Sequence, residues 1–583
     1  MQPQPFVRST MIEALRSAAG GAERAGGRAG GASEVPFDVV VIGGGITGAG
    51  VALDAANRGL RTVLLERDDF AGGTSSKSSK FVHGGLRYLQ NGEVRLVYEA
   101  LHERRRLMRN APHLVEVLPF LIPILTRDGV VSKKIARGLG SAMWMYDVTG
   151  GWRIGRVHHR VSAEQAAAYF PTADAERMSA GYLYFDARAD DARLTLTIAR
   201  TAAQHGALVL NRARATGIDH DPDGRACGVR VELDGTALAV PARVVVLAGG
   251  VWTDELRALD EPTHPSSIRP AKGTHIVVPW GKVRNTIAVI IPVKRDRRSL
   301  FLTPWGENAD GTFRHTYIGT TDTAYDGPLD DPRCDADDID YMLEAVNQAV
   351  TEPILPSDIT GAWAGLRPLV AGGDDDGGDG DGHDDATTAK TADLSRRHVV
   401  AVSGSGVVRV NGGKLTTYRK MAEDTVDRVL DELGRSRLHR SRGSTRRLPL
   451  LGAGKPPQPA DAGSLDAHLY GRYGTLAAEI KALAALYRRL DHPLVEGQPY
   501  LRAEAVYAVR HEMATTLDDV LCRRTRAHLF DRAACAAAAP DVADLLAEEL
   551  GWDRAERDRQ LDRYRAICAE EEAADERVAH AAD

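Results

Sequence analysis

The sequence predicts an α/β fold: a doubly wound region interleaved with a mixed or antiparallel-sheet region, followed by an all-helical C-terminal domain. Three observations carry this. A continuous β-branched run, FDVVVI from Phe37 to Ile42, stops at glycines and opens into a helix-compatible segment. Alternating runs such as THIVVP and TYIGTTD suit an antiparallel sheet with one covered face. From residue 465 onward the chain is rich in Ala, Leu, Glu and Arg at helical spacing, as in LRAEAVYAVRHEMATTLDDVLCRR.

The 583 residues exceed what a single core serves. Lys plus Arg at 74 against Asp plus Glu at 80 gives a net charge of −6, so no global field favours nucleic acid or anionic lipid, and any basic site is local. Five scattered cysteines with no CxxC pair argue for thiols in a reducing compartment, each a small buried hydrophobe, and against a metal cluster. Residues 1–35, with GGAERAGGRAGG, lack the apolar stretch of a secretory signal and are expected to be a disordered leader. No apolar run approaches the ~20 residues needed to cross a bilayer.

The first strand leads into ITGAGVALDAANRG and then a second strand, TVLLE, ending at Glu66, which makes a βαβ unit of dinucleotide-binding size. Gly43, Gly45 and Gly48 form GxGxxG, with Gly44 beside them. Glycine is required there because the turn needs unusual backbone angles, the chain must approach a pyrophosphate closely, and helix and strand must pack tightly. The phosphate would face the free N–H groups at the helix N-terminus. Glu66 is placed to accept hydrogen bonds from a ribose diol, although a surface acid at a strand end would look the same. These features fit NAD and FAD alike.

Segments beyond Glu66 favour the longer cofactor. GGTSSKSSKFVHGGLRYL, Gly72 to Leu89, supplies hydroxyls, a lysine and glycines past the first unit. RVVVLAGG, with Gly249, repeats a buried strand that ends in glycines, and NGGKLTTYRK, Asn411 to Lys420, adds a third glycine turn. By this reading the nucleotide-binding region occupies residues 36–110, 185–260 and 360–430, and the substrate region 111–184 and 261–359. An Asp/Gly-rich insertion over 371–393, with seven aspartates between Ala371 and Asp385, is expected to be a disordered loop turned away into solvent. A basic linker, 441–464, precedes the helical domain at 465–583 and is read as a solvated connection, with contact to phospholipid headgroups as the alternative. The apolar spacing of LTTYRKMAEDTVDRVL marks one buried face, which suits core packing or lipid. HEMAT, from His511, has Thr where a second zinc-binding histidine would stand and is not read as a metal site.

At IGGGITGAGVALDAANRG, GGKLTTYRKMA, SSKFVHGGLRYL, KGTHIVVP, IGTTDT, GLRPL and YAVRHEMATTLDDVLCRRTR the sequence resembles the FAD-dependent, quinone-linked glycerol-3-phosphate dehydrogenases, which are D-amino-acid-oxidase-like flavoproteins. The resemblance implies a glutathione-reductase-like FAD-binding domain. It implies hydride transfer from C2 of sn-glycerol 3-phosphate to flavin N5, giving dihydroxyacetone phosphate, with electrons passed to a membrane quinone. It also implies a cytoplasmic enzyme peripheral on the inner face of the plasma membrane; a homodimer is one assembly compatible with this. FAD would be held by Gly43, Gly44, Gly45, Gly48, Glu66, Thr74, Ser75, Ser79, His83, Gly84, Gly249, Gly412, Gly413, Leu415 and Thr416.

A phosphomonoester needs several cationic donors, and by similarity Arg367, Arg396 and Lys414 are the candidates, with Arg87 and Tyr88 completing the pocket. Hydride leaves C2 only if the hydroxyl loses its proton, so a base or polarising cation is required. His275 and Arg367 are the catalytic candidates, one as base and the other through its charge. An oxygen-using oxidase and a non-catalytic, membrane-associated flavin sensor remain as alternatives.

Overall fold

The structure is a computed structural model that describes residues 4–19, 35–86, 93–125, 133–293, 296, 298–370, 398–435, 445–454 and 461–582. The Asp/Gly-rich insertion lies outside the described residues.

The strand Phe37–Ile42 is buried at every position, as expected of a strand covered on both faces. It sits inside a sheet whose strands run, in spatial order, His398–Val402, Val408–Gly412, Thr236–Leu247, Phe37–Ile42, Thr62–Leu65 and Leu208–Leu210. All neighbours pair in parallel except the antiparallel edge pair His398–Val402 and Val408–Gly412. Helix Ile46–Asn57 packs against both Asp191–Gln204 and Tyr418–Glu432. Tyr418, Ala422, Val426 and Val429 are all buried, so the apolar face of the last helix is core, not lipid-facing. An antiparallel meander, Ala213–His220 and Ala226–Leu233, extends from the long strand Thr236–Leu247.

The second sheet is built on the strands Ile268–Pro279, Phe313–Gly319, Ser299–Glu307, Ala288–Pro292, Val115–Leu125 and Met178–Ala189. It is antiparallel except where Ala288–Pro292 meets Val115–Leu125. Two of its strands come from segments that the sequence assigns to the nucleotide-binding region. Gly361–Val370 is hydrogen bonded along its whole length to Ile268–Pro279, and Phe81–Val82 pairs with Met178–Ala189. A strand's partner is chosen by long-range register, which local composition does not encode.

Three other expectations need correction. Within the supposed leader, Arg8–Ala19 is a helix whose Met11, Ile12, Leu15 and Ala19 are buried. The first three join the core of the nucleotide domain, and burying Leu15 alone contributes about 1.5–3 kcal/mol. Part of the linker is anchored: Leu450 is buried and Thr445 Oγ1 donates to Asp54 Oδ1 at 2.8 Å. Of the cysteines, Cys535 and Cys568 are buried, whereas Cys334 and Cys522 are half-buried and Cys227 is exposed.

The C-terminal helices, from Leu465–Tyr473 to Arg554–Ala582, carry their own core around Leu469, Ile480, Val506, Val520 and Leu546. They dock on the nucleotide domain through buried ion pairs. Arg524 grips Asp69 with two bonds at 2.7 and 2.8 Å, and Arg523 Nε joins the same carboxylate at 2.7 Å. Arg193 pairs with Glu512, and Arg526 NH2 donates to Asp191 Oδ1 at 3.0 Å.

Candidate active site

The glycine turn after the first strand is shaped by contacts that leave no room for a side chain. Gly43 has φ +115°, and a Cβ there would lie 2.5 Å from Ala248 O. At Gly48 it would lie 1.9 Å from Gly43 O, so the helix could not approach the turn. Gly45 caps the helix without a side-chain bond, and the Ile46 N–H donates to Ser75 Oγ at 2.9 Å. Glu66, at the end of the next strand, accepts from the Gly44 and Asp68 N–H groups at 2.6 and 2.8 Å. Burial pushes its carboxyl up to about 7, opposed by those amide donors.

Gly43, Gly45, Glu66 and Ser75 open onto a cavity of about 1040 Å³ between the two sheets and the C-terminal domain, at the upper limit of ordinary small-molecule sites. Gly43, Gly45, Glu66, Thr74, Ser75, Ser79, His83, Gly249, Gly412, Gly413, Leu415 and Thr416 line it, as do His275, Arg367 and Lys414. Gly44, Gly48 and Gly84 do not. They serve close packing: a Cβ on Gly44 would meet Glu66 Cβ at 2.8 Å, and one on Gly84 would meet Leu101 Cδ2 at 2.4 Å. Arg87, Tyr88 and Arg396 lie outside the described residues.

Distant turns are tied together across the cavity. The His83 N–H donates to Thr416 Oγ1 at 3.1 Å, and Thr74 Oγ1 donates to Leu366 O at 2.5 Å. Gly412 and Gly413 both have positive φ, +72° and +76°, which turns the chain from strand Val408–Gly412 towards helix Tyr418–Glu432.

The catalytic candidates share one sheet. His275 stands directly opposite Trp363, and Arg367 opposite Ala271, in the pairing of Ile268–Pro279 with Gly361–Val370. With a side-chain period of two, Trp363 and Arg367 project from the same face. The His275 ring stacks on Trp363 at 4.6 Å and 12°, and its Nε2 is 2.9 Å from Ser79 Oγ. Its Nδ1 is buried without a hydrogen-bond partner among the described residues. Burial, reinforced by Lys80 and Arg367, holds the imidazole well below its usual pKa, so it is neutral at pH 7. Arg367 donates to Asp322 Oδ1 at 3.0 Å and to Thr320 Oγ1 and Thr321 O at 3.2 Å each. Gly273 makes room for it, since a Cβ there would lie 2.5 Å from the guanidinium.

Sequence reasoning assigns no part to Trp363, Asp322 or Lys80. The spacing of Trp363 and Arg367, four apart on a strand, is a usable signal for a shared face. Asp322 and Lys80 reach the site only through the fold.

Comparison with known proteins places this architecture. Residues 38–419 match the family described as FAD dependent oxidoreductase, and residues 444–557 match the C-terminal domain of alpha-glycerophosphate oxidase. A glycerol-3-phosphate dehydrogenase of Mycobacterium leprae is 40% identical over 544 residues, covering 91% of this chain and 88% of its own. The chain belongs to the FAD-dependent glycerol-3-phosphate dehydrogenase family.

Solved structures show the same fold. The glycerol-3-phosphate dehydrogenase of Bacillus halodurans, solved with FAD, is 28% identical with a TM-score of 0.72, over 97% of this chain and 98% of its own. The L-alpha-glycerophosphate oxidase of Mycoplasma pneumoniae shares the fold, with a TM-score of 0.52 and 15% identity over 68% of this chain and 95% of its own. FAD is the cofactor of this flavoprotein family. The residues present fit it: Gly43 and Gly45 line the cavity at the N-terminus of helix Ile46–Asn57, where a pyrophosphate would be held, and Glu66 keeps acceptor capacity for a ribose beyond the two amides that it binds.

Proposed function

We propose that this flavoenzyme oxidises sn-glycerol 3-phosphate to dihydroxyacetone phosphate at the face shared by His275 and Arg367, and passes the electrons to a membrane quinone. The carrying observation is that His275, Arg367 and Lys414 line the same cavity as the glycine turns. FAD, when bound, supplies the hydride acceptor. His275 takes the proton of the C2 hydroxyl through Nδ1, the nitrogen with no protein partner among the described residues, while Nε2 carries its hydrogen towards Ser79 Oγ. Arg367 stabilises the developing alkoxide, and its ion pair with Asp322 holds the guanidinium in place. Lys414 and Arg396 bind the phosphate, and Arg87 and Tyr88 complete the substrate pocket. The remaining cavity-lining residues named from the sequence hold FAD.

Adding glycerol 3-phosphate to the FAD-loaded protein without oxygen should bleach the flavin absorption band. In air, reduction of a quinone-like dye should far exceed peroxide release. Stoichiometric peroxide would make the protein an oxidase, and no bleaching would favour a non-catalytic sensor.

Attachment to the inner face of the plasma membrane is part of this reading. Among the described residues no helix is long and apolar enough to cross a membrane. Helix Lys133–Thr149 buries Met143 and Tyr146 on one side yet exposes Trp144, Met145 and Val148 on the other. Trp152, Val157, Tyr98 and Val94 are exposed on adjoining elements. A helix end apolar on both faces, as over residues 143–148, needs a cover, and exposed tryptophans suit a headgroup boundary. Arg95, Arg105, Arg156 and Arg160, all exposed on the same elements or next to them, supply charge for anionic lipid. Serine at Trp144, Val148 and Trp152 together should abolish co-sedimentation with vesicles of phosphatidylcholine and phosphatidylglycerol while leaving dye-linked turnover intact. Undiminished sedimentation would exclude this face.

A further inference from the structure

Lys80 puts a cation where burial disfavours one. Its side chain is fully buried, as is that of Asp191, whose Oδ1 lies 3.3 Å from Nζ. Asp191 does not depend on that contact. It also accepts from the Ser78 N–H and hydroxyl, the Ala192 N–H and Arg526 NH2. Asp190, next to it, pairs with Arg472 and Arg526. A buried ion pair is poor evidence of a stabilising role, because desolvation offsets its Coulombic gain. Lys80 therefore calls for another explanation.

Its ammonium lies 4.5 Å from the centroid of the Trp363 ring, the same indole on which His275 stacks. Trp363 Nε1 donates to Ser78 O, and Ser79 Oγ meets His275 Nε2. Three consecutive residues, Ser78, Ser79 and Lys80, thus hold the indole, the imidazole and the cation. The charged groups that act on His275 are Lys80 and Arg367, both positive. Tyr317, at 6.1 Å, is the other ring against it, and its hydroxyl donates to Ser79 O.

We propose that Lys80 is a positioning residue for the reaction: by way of Trp363 it fixes the His275 ring and keeps a positive charge off it, so that Nδ1 stays unprotonated. This rests on His275 being the base. Lys80 is itself pulled down to about 8, by burial and then by Arg526, against Asp191 and Asp190. It is therefore mainly charged at pH 7.

The test uses the FAD-loaded enzyme with ¹⁵N-labelled histidine, the His275 resonance being assigned by its loss in His275→Gln. In Lys80→Met the His275 titration midpoint should rise by about one pH unit or more. The acid limb of kcat/KM should move with it, with KM little changed, and Lys80→Arg should restore both. If Lys80→Met does not fold, Lys80→Gln, which can still bond Asp191, carries the same comparison. An unmoved midpoint overturns the proposal. A midpoint that moves while the pH–rate profile stays where it was upholds the influence of Lys80 on His275 but removes His275 as the base.

Discussion

His275→Gln is expected to lower kcat by roughly 10²–10⁴-fold, the usual contribution of a positioned proton acceptor, with FAD still bound. Glutamine can preserve the contact that Nε2 makes with Ser79 Oγ but offers no basic nitrogen at the position of Nδ1. In the unsubstituted enzyme the imidazole must be neutral to accept a proton. Burial, Lys80 and Arg367 all hold its pKa well below 6.5, so activity should be lost only as pH falls through that depressed value. The acid limb of kcat/KM therefore belongs well below pH 6.5, and it should vanish in the variant. Steady-state kinetics across pH on the FAD-loaded proteins checks both points. A variant within tenfold of the parent would leave Arg367 as the group that polarises the hydroxyl.

Asp69→Ala should destabilise the protein by about 3–5 kcal/mol, as expected when one partner of a buried ion pair is removed. Asp69 is almost fully buried and accepts from Arg524, Arg523 and Asn211. Arg523 keeps Asp518 and Asp519 as partners, but Arg524, 2% exposed, would lose both of its carboxylate hydrogen bonds. Its remaining hydrogen bond goes to Glu512 O, with the Glu512 carboxylate 4.0 Å away. Because this cluster joins the C-terminal helices to the nucleotide domain, proteolytic release of the helical domain should accelerate together with the fall in the urea midpoint. A midpoint unchanged within error would mean that the two domains are held by apolar contact instead.

Parts of this molecule are legible in its residues alone. Gly43 and Gly48 declare themselves because only glycine tolerates a φ of +115° or a backbone oxygen 1.9 Å from its Cβ position. Glu66 follows from its place at the end of the second strand, whereas His275 and Arg367 are candidates by the resemblance of their segments. The Arg8–Ala19 helix is hidden by the glycine-rich stretch after it, although Met11, Ile12 and Leu15 carry a helical spacing. Sequence reasoning misplaces the strand Gly361–Val370 because its partner lies about ninety residues earlier in the chain and nothing local names it.

By itself the sequence determined the elements and their local chemistry: the βαβ start, the glycine turns, the helical C-terminal domain and the residue types able to bind FAD. These come from backbone sterics and hydrophobic period, which act over a few residues. Only the tertiary structure decided which groups meet. It set His275 against Trp363 and Lys80, tied Arg367 to Asp322, and brought Arg524 to Asp69 across 455 positions. Such contacts depend on strand register and domain docking, where each choice is settled by the burial of the whole assembly and not by any short stretch of chain.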